Sequence, residues 1–184
     1  MTVFVAVEHG RCEYEICMYL SSKLRLDIVP VMAVQGTQTI SLKGSADVLR
    51  EDPFTDIKSL NKYYRDYRGK KWSGRRLRKD EVLIFIIVDV DGDRSSLPSC
   101  RSGDLYKDSF FQRNVFVVVS DPNLDEIMRA AGFDIKSRKK PEEYRKVLSE
   151  LESPDELKER LRPFNTDIPR MIEKLEEHCP DFQR

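Results

Sequence analysis

The chain has 184 residues, of which 40% are apolar and 35% charged, with 32 basic and 32 acidic side chains. That length suits one domain with room for a helical appendage. A net charge of zero gives no global pull toward nucleic acid or membrane, so any such attraction must come from a local patch, and no apolar run approaches the roughly 20 residues of a spanning helix.

Thr2–Val7 (TVFVAV) is short, apolar and β-branched and reads as a strand that starts at once; the opening MTVFVAVEHG has no basic n-region or cleavage signal. Arg11–Leu24 places Ile16, Cys17, Leu20 and Leu24 on one helical face. Asp27–Val34 reads as a second strand, with Pro30 arguing for an edge position. Gln35–Ser45 is polar and reads as loop, Phe54–Tyr67 as helix, and Arg68–Lys79 as a basic loop. Val82–Val88 is an unbroken apolar run, the pattern of a strand buried on both faces. A polar stretch from Gly92 to Asp104 precedes a short helix reaching Gln112, then a strand at Val115–Val119. Asn123–Ala131 reads as a helix with Gly132 as its C-cap. Beyond Pro141 the pattern is helical throughout: Pro141–Leu151, Pro154–Leu161 and Asp167–His178.

Strands alternating with helices predict an α/β fold: a mainly parallel central sheet flanked by helices, Rossmann-like, with C-terminal helices added. Residues 1–135 are expected to form the α/β domain, with a basic insert at 44–80, and 136–184 a helical extension packed on it. Ligands in such sheets sit at the carboxyl ends of strands. Glu8 follows the first strand, Asp89 and Asp91 the central one, and Ser120-Asp121 the last, so three strand ends bring acids to one edge.

Carboxylates crowded as in LIFIIVDVDGD repel one another unless a cation sits among them. An oxygen-rich, nitrogen-poor set suits a hard cation, Mg2+ or Mn2+. Asp93 joins the candidate ligands, although alone it reads as a solvated turn residue. An EF-hand loop counted from Asp89 requires Gly and Glu where Arg94 and Cys100 stand. A haloacid dehalogenase-like phosphatase carries threonine where Asp93 stands, and its nucleophilic strand normally opens the fold. For a glycosyltransferase, nothing beyond the Asp-x-Asp supports a nucleotide-sugar site. No Gly-rich phosphate loop is present, so nucleotide hydrolysis by this chain is not expected. Cys12, Cys17, Cys100 and Cys179 form no CxxC pair and no zinc-type spacing with His9 or His178. They read as reduced thiols of a cytoplasmic protein.

Three motifs together resemble the Toprim domain of topoisomerases, primases and OLD-type nucleases. They are VAVEHG with Glu8 and Gly10, IIVDVDGD with Asp89 and Asp91, and VFVVVSDPNLDEIM with Asp121, Asp125 and Glu126. The turn after Glu8 is one residue longer than the usual Glu-Gly, Glu13 stands slightly displaced for the acid in the first helix, and the gap to Asp89 is long. These departures imply a divergent or inactive member. The resemblance covers roughly residues 1–135. It implies Mg2+-dependent cleavage or transfer of phosphodiesters in DNA or RNA, with Asp89 and Asp91 holding the metal. Glu8 would ligate the metal or move a proton. It also implies, by analogy, work beside a separate ATPase protein.

The stretch RGKKWSGRRLRK holds Arg68, Lys70, Lys71, Arg75, Arg76, Arg78 and Lys79 around Trp72, preceded by Tyr63, Tyr64 and Tyr67. Cations neutralise phosphates and aromatic rings stack on unpaired bases, so the segment is a candidate nucleic-acid contact. Its run into the strand bearing Asp89 places it, in this reading, beside the acidic edge. The C-terminal helices alternate charge signs on one side and carry Val147, Leu148, Leu151, Leu157, Leu161, Ile168, Met171, Ile172 and Leu175 on the other. That pattern reads as a cap on the sheet and secondarily as a homodimer face. Two further functions stay open at this point: a non-catalytic nucleic-acid or protein-binding module, and a phosphatase of the haloacid dehalogenase type.

Overall fold

A computed structural model describes residues 1–7, 11–32, 41–69, 74–90, 94–136 and 140–178. Four strands form one sheet: β1 (Thr2–Val7), β2 (Asp27–Met32), β3 (Val82–Asp89) and β4 (Val115–Ser120). Their order is β2-β1-β3-β4 and every pairing is parallel. Between them run α1 (Arg11–Leu24), α2 (Ser45–Val48), α3 (Ile57–Arg68), α4 (Leu97–Arg101) and α5 (Leu124–Ala130). The chain ends in α6 (Pro141–Ser149), α7 (Pro154–Leu161) and α8 (Ile168–Glu176). The fold is the α/β arrangement expected from the alternation of strands and helices.

The period-2 alternation of the strands sorts their side chains into two apolar layers. Val3, Val5, Leu83, Phe85, Ile87 and Val118 face α1, α5, α6, α7 and α8. Phe4, Ala6, Val29, Val31, Ile84, Ile86 and Val88 face the opposite layer, where Leu49, Phe54, Leu60 and Tyr64 are buried around α2 and α3. β3 lies between β1 and β4 with a helical layer on each face, which is why its sequence tolerates no polar residue before Asp89. Tyr144, Val147, Leu148, Leu151, Leu157 and Leu161 join the α1 layer, so α6 and α7 cap the sheet with their apolar sides.

Pro30 lies on β2 at the sheet edge, opposite Val5, where its missing N–H costs no ladder bond; Tyr63 donates from its hydroxyl to the Pro30 carbonyl at 3.0 Å. Gly132 takes φ +84° after α5, the left-handed turn expected of a C-cap glycine. Some bounds differ from those read in sequence. The helix expected from Phe54 begins at Ile57, because the Asp56 carboxylate accepts from the N–H groups of Lys58 and Ser59, both at 2.8 Å, and fixes the N-terminus there. The stretch expected to be polar up to Asp104 holds α4, which opens with Pro98 in its first turn. Ser45, read as loop, starts the one-turn α2, its hydroxyl donating to the Leu42 carbonyl at 2.6 Å and meeting the Tyr106 hydroxyl at 2.7 Å.

Candidate functional site

The strand order reverses direction between β1 and β3: the chain leaves β1 toward β2 on one side and later builds β3 and β4 on the other. In an open parallel sheet the crevice beyond the carboxyl ends of two such strands is where ligands bind. Val7 pairs with Ile87, and Asp89 pairs with Ser120, so the ends of β1, β3 and β4 lie side by side at one edge.

Asp89 is the last residue of β3 and half-buried. Its Oδ1 accepts a hydrogen bond from the backbone N–H of Leu124 at 3.0 Å, which ties the strand end to the first turn of α5. That turn is organised by Asn123, whose side-chain oxygen accepts from the Glu126 N–H at 3.0 Å while its amide nitrogen donates to Glu126 Oε1 at 3.0 Å. Glu126 thus serves the helix cap. Asp121, just past β4, accepts from Arg94 Nη2 at 2.9 Å and from Asn165 Nδ2 at 3.1 Å. Asp125 accepts from the Tyr144 hydroxyl at 2.7 Å. Tyr144 is fully buried, and burial first, then the Asp125 carboxylate, push its ionisation far above the usual phenol range.

Glu13, in the first turn of α1, is 9% exposed. It and Asp125 act on the same two neighbours: both raise the Tyr144 phenol, and both raise the Cys12 thiol. Cys12 is pushed up to about 12 by burial first, then by Glu13, Asp125, Glu15 and Glu142. Carboxylates from α1, α5 and α6 therefore converge beside Cys12. Glu15, one of this group, is paired with Arg145, whose Nε and Nη2 donate to its two oxygens at 3.0 and 2.5 Å. A thiol held protonated in this way is a poor nucleophile at neutral pH. Cys17 and Cys100 are likewise buried, free and raised by desolvation.

The described members of the predicted acidic set, Asp89, Asp121, Asp125, Glu126 and Glu13, thus share the carboxyl edge, but Asp89, Asp121, Asp125 and Glu126 are engaged by protein groups. Among the described residues no group of three or more His, Cys, Asp and Glu is arranged to hold a metal ion. Glu8, Asp91 and Asp93 lie outside the described residues. At the described ends of these strands Val7 pairs with Ile87, and the Val90 N–H donates to the Ser120 carbonyl at 3.0 Å. The acids of this edge offer carboxylate oxygens, the donor type that suits Mg2+ or Mn2+ better than zinc.

The basic segment does not join them. Arg68 Nη2 binds Asp27 Oδ1, the Tyr64 hydroxyl donates to Asp27 Oδ2, and Asp27 is the first residue of β2. Arg75 and Arg78 pair with Glu81, and Arg78 also with Asp80, directly before β3 begins. Asn61 of α3 clamps Leu77 by its N–H at 2.8 Å and its carbonyl at 3.0 Å, and Asn114 donates to the Lys79 carbonyl at 2.9 Å. Arg68, Arg75, Arg76, Arg78 and Lys79 therefore lie at the amino edge. The expectation that they flank Asp89 is corrected: the eight residues of β3 span about 23 Å between them. Lys70, Lys71 and Trp72 lie outside the described residues.

Sequence reasoning missed Tyr144, Arg94 and Asn165 as partners of the acids, since each contact joins residues far apart in the chain. The Asn123-to-Glu126 cap carried a local signal, a capping residue three positions before an acid. No helix of the described residues is long and apolar enough to cross a membrane. Comparison of the chain with protein-family models, curated proteins and solved structures finds no match.

Proposed function

We propose that the chain is a divergent Toprim-type nuclease that cleaves or transfers phosphodiesters in nucleic acid with Mg2+ or Mn2+. The observation that carries the reading is the pairing of Val7 with Ile87 at the switch point. Val7, the residue before Glu8, thus ends beside the strand that Asp89 closes, which supports the reading that Glu8 and Asp89, 81 positions apart in the chain, serve one ion. Asp89 and Asp91 would hold the metal, with Glu13 and Asp125 nearby in the same carboxyl edge. A bound Mg2+ supplies Lewis-acid polarisation of a phosphoryl oxygen and a lowered pKa for water. Glu8 would take the proton from the attacking water at its carboxylate. Tyr144 keeps one Asp125 oxygen engaged and so fixes which way that carboxylate turns.

The test is a cleavage assay on single-stranded and duplex DNA and RNA with millimolar Mg2+ or Mn2+, alongside calorimetric titration with MnCl2. Wild type cuts and binds Mn2+; Glu8→Gln and Asp89→Asn keep the fold and lose turnover. Cleavage that survives in both variants refutes the assigned roles.

A second reading, a non-catalytic binding module on the same fold, has one observation in its favour. Asp89, Asp121, Asp125 and Glu126 each have a structural task, in helix caps or in bonds to Arg94, Asn165 and Tyr144. It predicts nucleic-acid binding with no turnover and no Mn2+ heat.

A further inference from the structure

Among the described residues the large apolar side chains left exposed are Met1 at 50%, Tyr67 at 44% and Phe110 at 41%. They are not scattered. Met1 precedes the first residue of β1. Phe110 lies in the approach to β4, with Lys79 Nζ 4.2 Å from its ring centroid. Tyr67 adjoins Arg68, which is bound to Asp27 at the start of β2. All three belong to the amino edge of the sheet, the edge opposite Asp89.

Positive charge is concentrated at the same edge. Residues 62–69 and 74–81 carry seven Lys and Arg against three Asp and Glu. Some of that charge is spent internally, since Arg68, Arg75 and Arg78 pair with Asp27, Glu81 and Asp80. Arg76 and Arg113 are exposed, and among the described residues neither is held in an ion pair. Arg113 lies two residues before β4, and Arg76 six before β3. A surface kept only for solubility has no use for exposed rings, and an acidic protein would engage the cations but not the flat faces. Unpaired nucleic acid uses both, because phosphates take the cations and every base offers a π face for stacking. A duplex keeps its base faces covered.

We propose that the amino edge is a second nucleic-acid contact, where Tyr67 and Phe110 stack on unpaired bases while Arg76, Lys79 and Arg113 neutralise phosphates. It spans three strand spacings, about 14 Å, from the β2 corner to the β4 corner. The surface lies about 23 Å from Asp89 and serves to hold a strand rather than to cut it. Its ligand class rests on the proposed function; its binding needs no metal.

The test is fluorescence anisotropy of the full chain with labelled oligo(dT), the same-length duplex, and labelled poly-glutamate, all in EDTA over a salt series. Oligo(dT) binds at least about tenfold more tightly than the duplex. Tyr67→Ala with Phe110→Ala weakens oligo(dT) by about tenfold or more and leaves the salt slope unchanged. Arg76→Ala with Arg113→Ala lowers that slope by about 1.4, two phosphate contacts' worth on a single strand. Circular dichroism checks that both double variants are folded; the substituted side chains are exposed. Wild-type affinity in the ring variant, duplex bound as well as single strand, an unmoved slope in the arginine variant, or poly-glutamate bound as tightly as oligo(dT) each overturns the proposal. The last outcome would assign the edge to an acidic protein. Oligo(dT) binding in EDTA with no cleavage in Mg2+ would sink the nuclease reading alone, whereas cleavage without this binding pattern would sink this one alone.

Discussion

Asp89 Oδ1 accepts the backbone N–H of Leu124 at 3.0 Å, so the carboxylate that closes the central strand also caps the helix that follows the last strand. One side chain therefore has a structural task and a proposed chemical one, and substitutions can separate them. Asp89→Ala leaves the Leu124 N–H without its acceptor and is expected to lower stability by about 1–3 kcal/mol. Asp89→Asn keeps an oxygen acceptor while removing the charge, so most of that loss returns but Mn2+ affinity does not. Urea unfolding of the two variants, beside Mn2+ titrations, checks this. Equal destabilisation by Ala and Asn would show that the helix does not depend on the Asp89 oxygen.

The bond from the Tyr144 hydroxyl to Asp125 joins α6 to the first turn of α5 at 2.7 Å, between a fully buried tyrosine and a half-buried carboxylate. A phenol donating to a carboxylate there is worth about 1.5–3 kcal/mol. Tyr144→Phe removes the donor, Asp125→Asn weakens the acceptor, and the two changes share one interaction. Their double-mutant cycle is expected to show a coupling of about 1–2 kcal/mol in denaturant unfolding. Additive losses would mean that the contact holds neither residue.

Cys12 supplies a prediction in pH. Burial, then the neighbouring Glu13, raise its thiol from 9.0 to about 12. Between those values the folded chain keeps a proton that the unfolded chain releases. The thiol therefore takes nothing from stability below pH 9 and lowers it progressively from there toward pH 12. The slope attributable to one such group is at most about 1.4 kcal/mol per pH unit. Cys17 and the buried tyrosines push the same way, so the informative quantity is the difference between wild type and Cys12→Ala. Their unfolding free energies should run parallel below pH 9 and converge above it; curves parallel throughout would mean the thiol is not shielded.

Much of the fold was legible because local patterns carried it. The alternation in TVFVAV, the helical face of Ile16, Leu20 and Leu24, and the unbroken run before Asp89 gave β1, α1 and β3 nearly to the residue. Pro30 marked the edge strand, and Gly132 the end of α5. The misreadings come from direction and distance. A segment that runs into the strand bearing Asp89 enters at that strand's amino end, so nearness in sequence placed Arg75 and Arg78 at the wrong edge. Tyr144 and Asp125 are 19 residues apart, and Arg94 and Asp121 are 27 apart, in segments with no shared periodicity. Such contacts follow from how helices settle on the sheet, which composition and spacing do not encode locally.

The exposed side of β4 is closed by a short strap. The Asp121 N–H donates to the Asn165 carbonyl at 2.9 Å, the Asp167 N–H to the Val119 carbonyl at 2.8 Å, and the Ser120 and Thr166 hydroxyls meet at 3.0 Å. Asp167 is 6% exposed, and its Oδ2 accepts the Val119 N–H at 3.3 Å while Arg101 and Arg170 lie 3.9 and 3.6 Å from its oxygens. An open edge strand is a template for pairing with another chain, and the strap removes that template along the carboxyl half of β4. Asp167→Ala strips the acceptor from a buried N–H and is expected to cost about 1–3 kcal/mol. With the strap loosened, the variant should also self-associate in sedimentation velocity at concentrations where wild type does not. Asp167→Asn retains the oxygen that meets Val119 and should recover most of the stability and the wild-type sedimentation. If the alanine variant loses stability but sediments as wild type does, Asp167 anchors α8 without guarding the edge, because the backbone bonds of Asn165 and Asp167 then suffice to keep β4 covered.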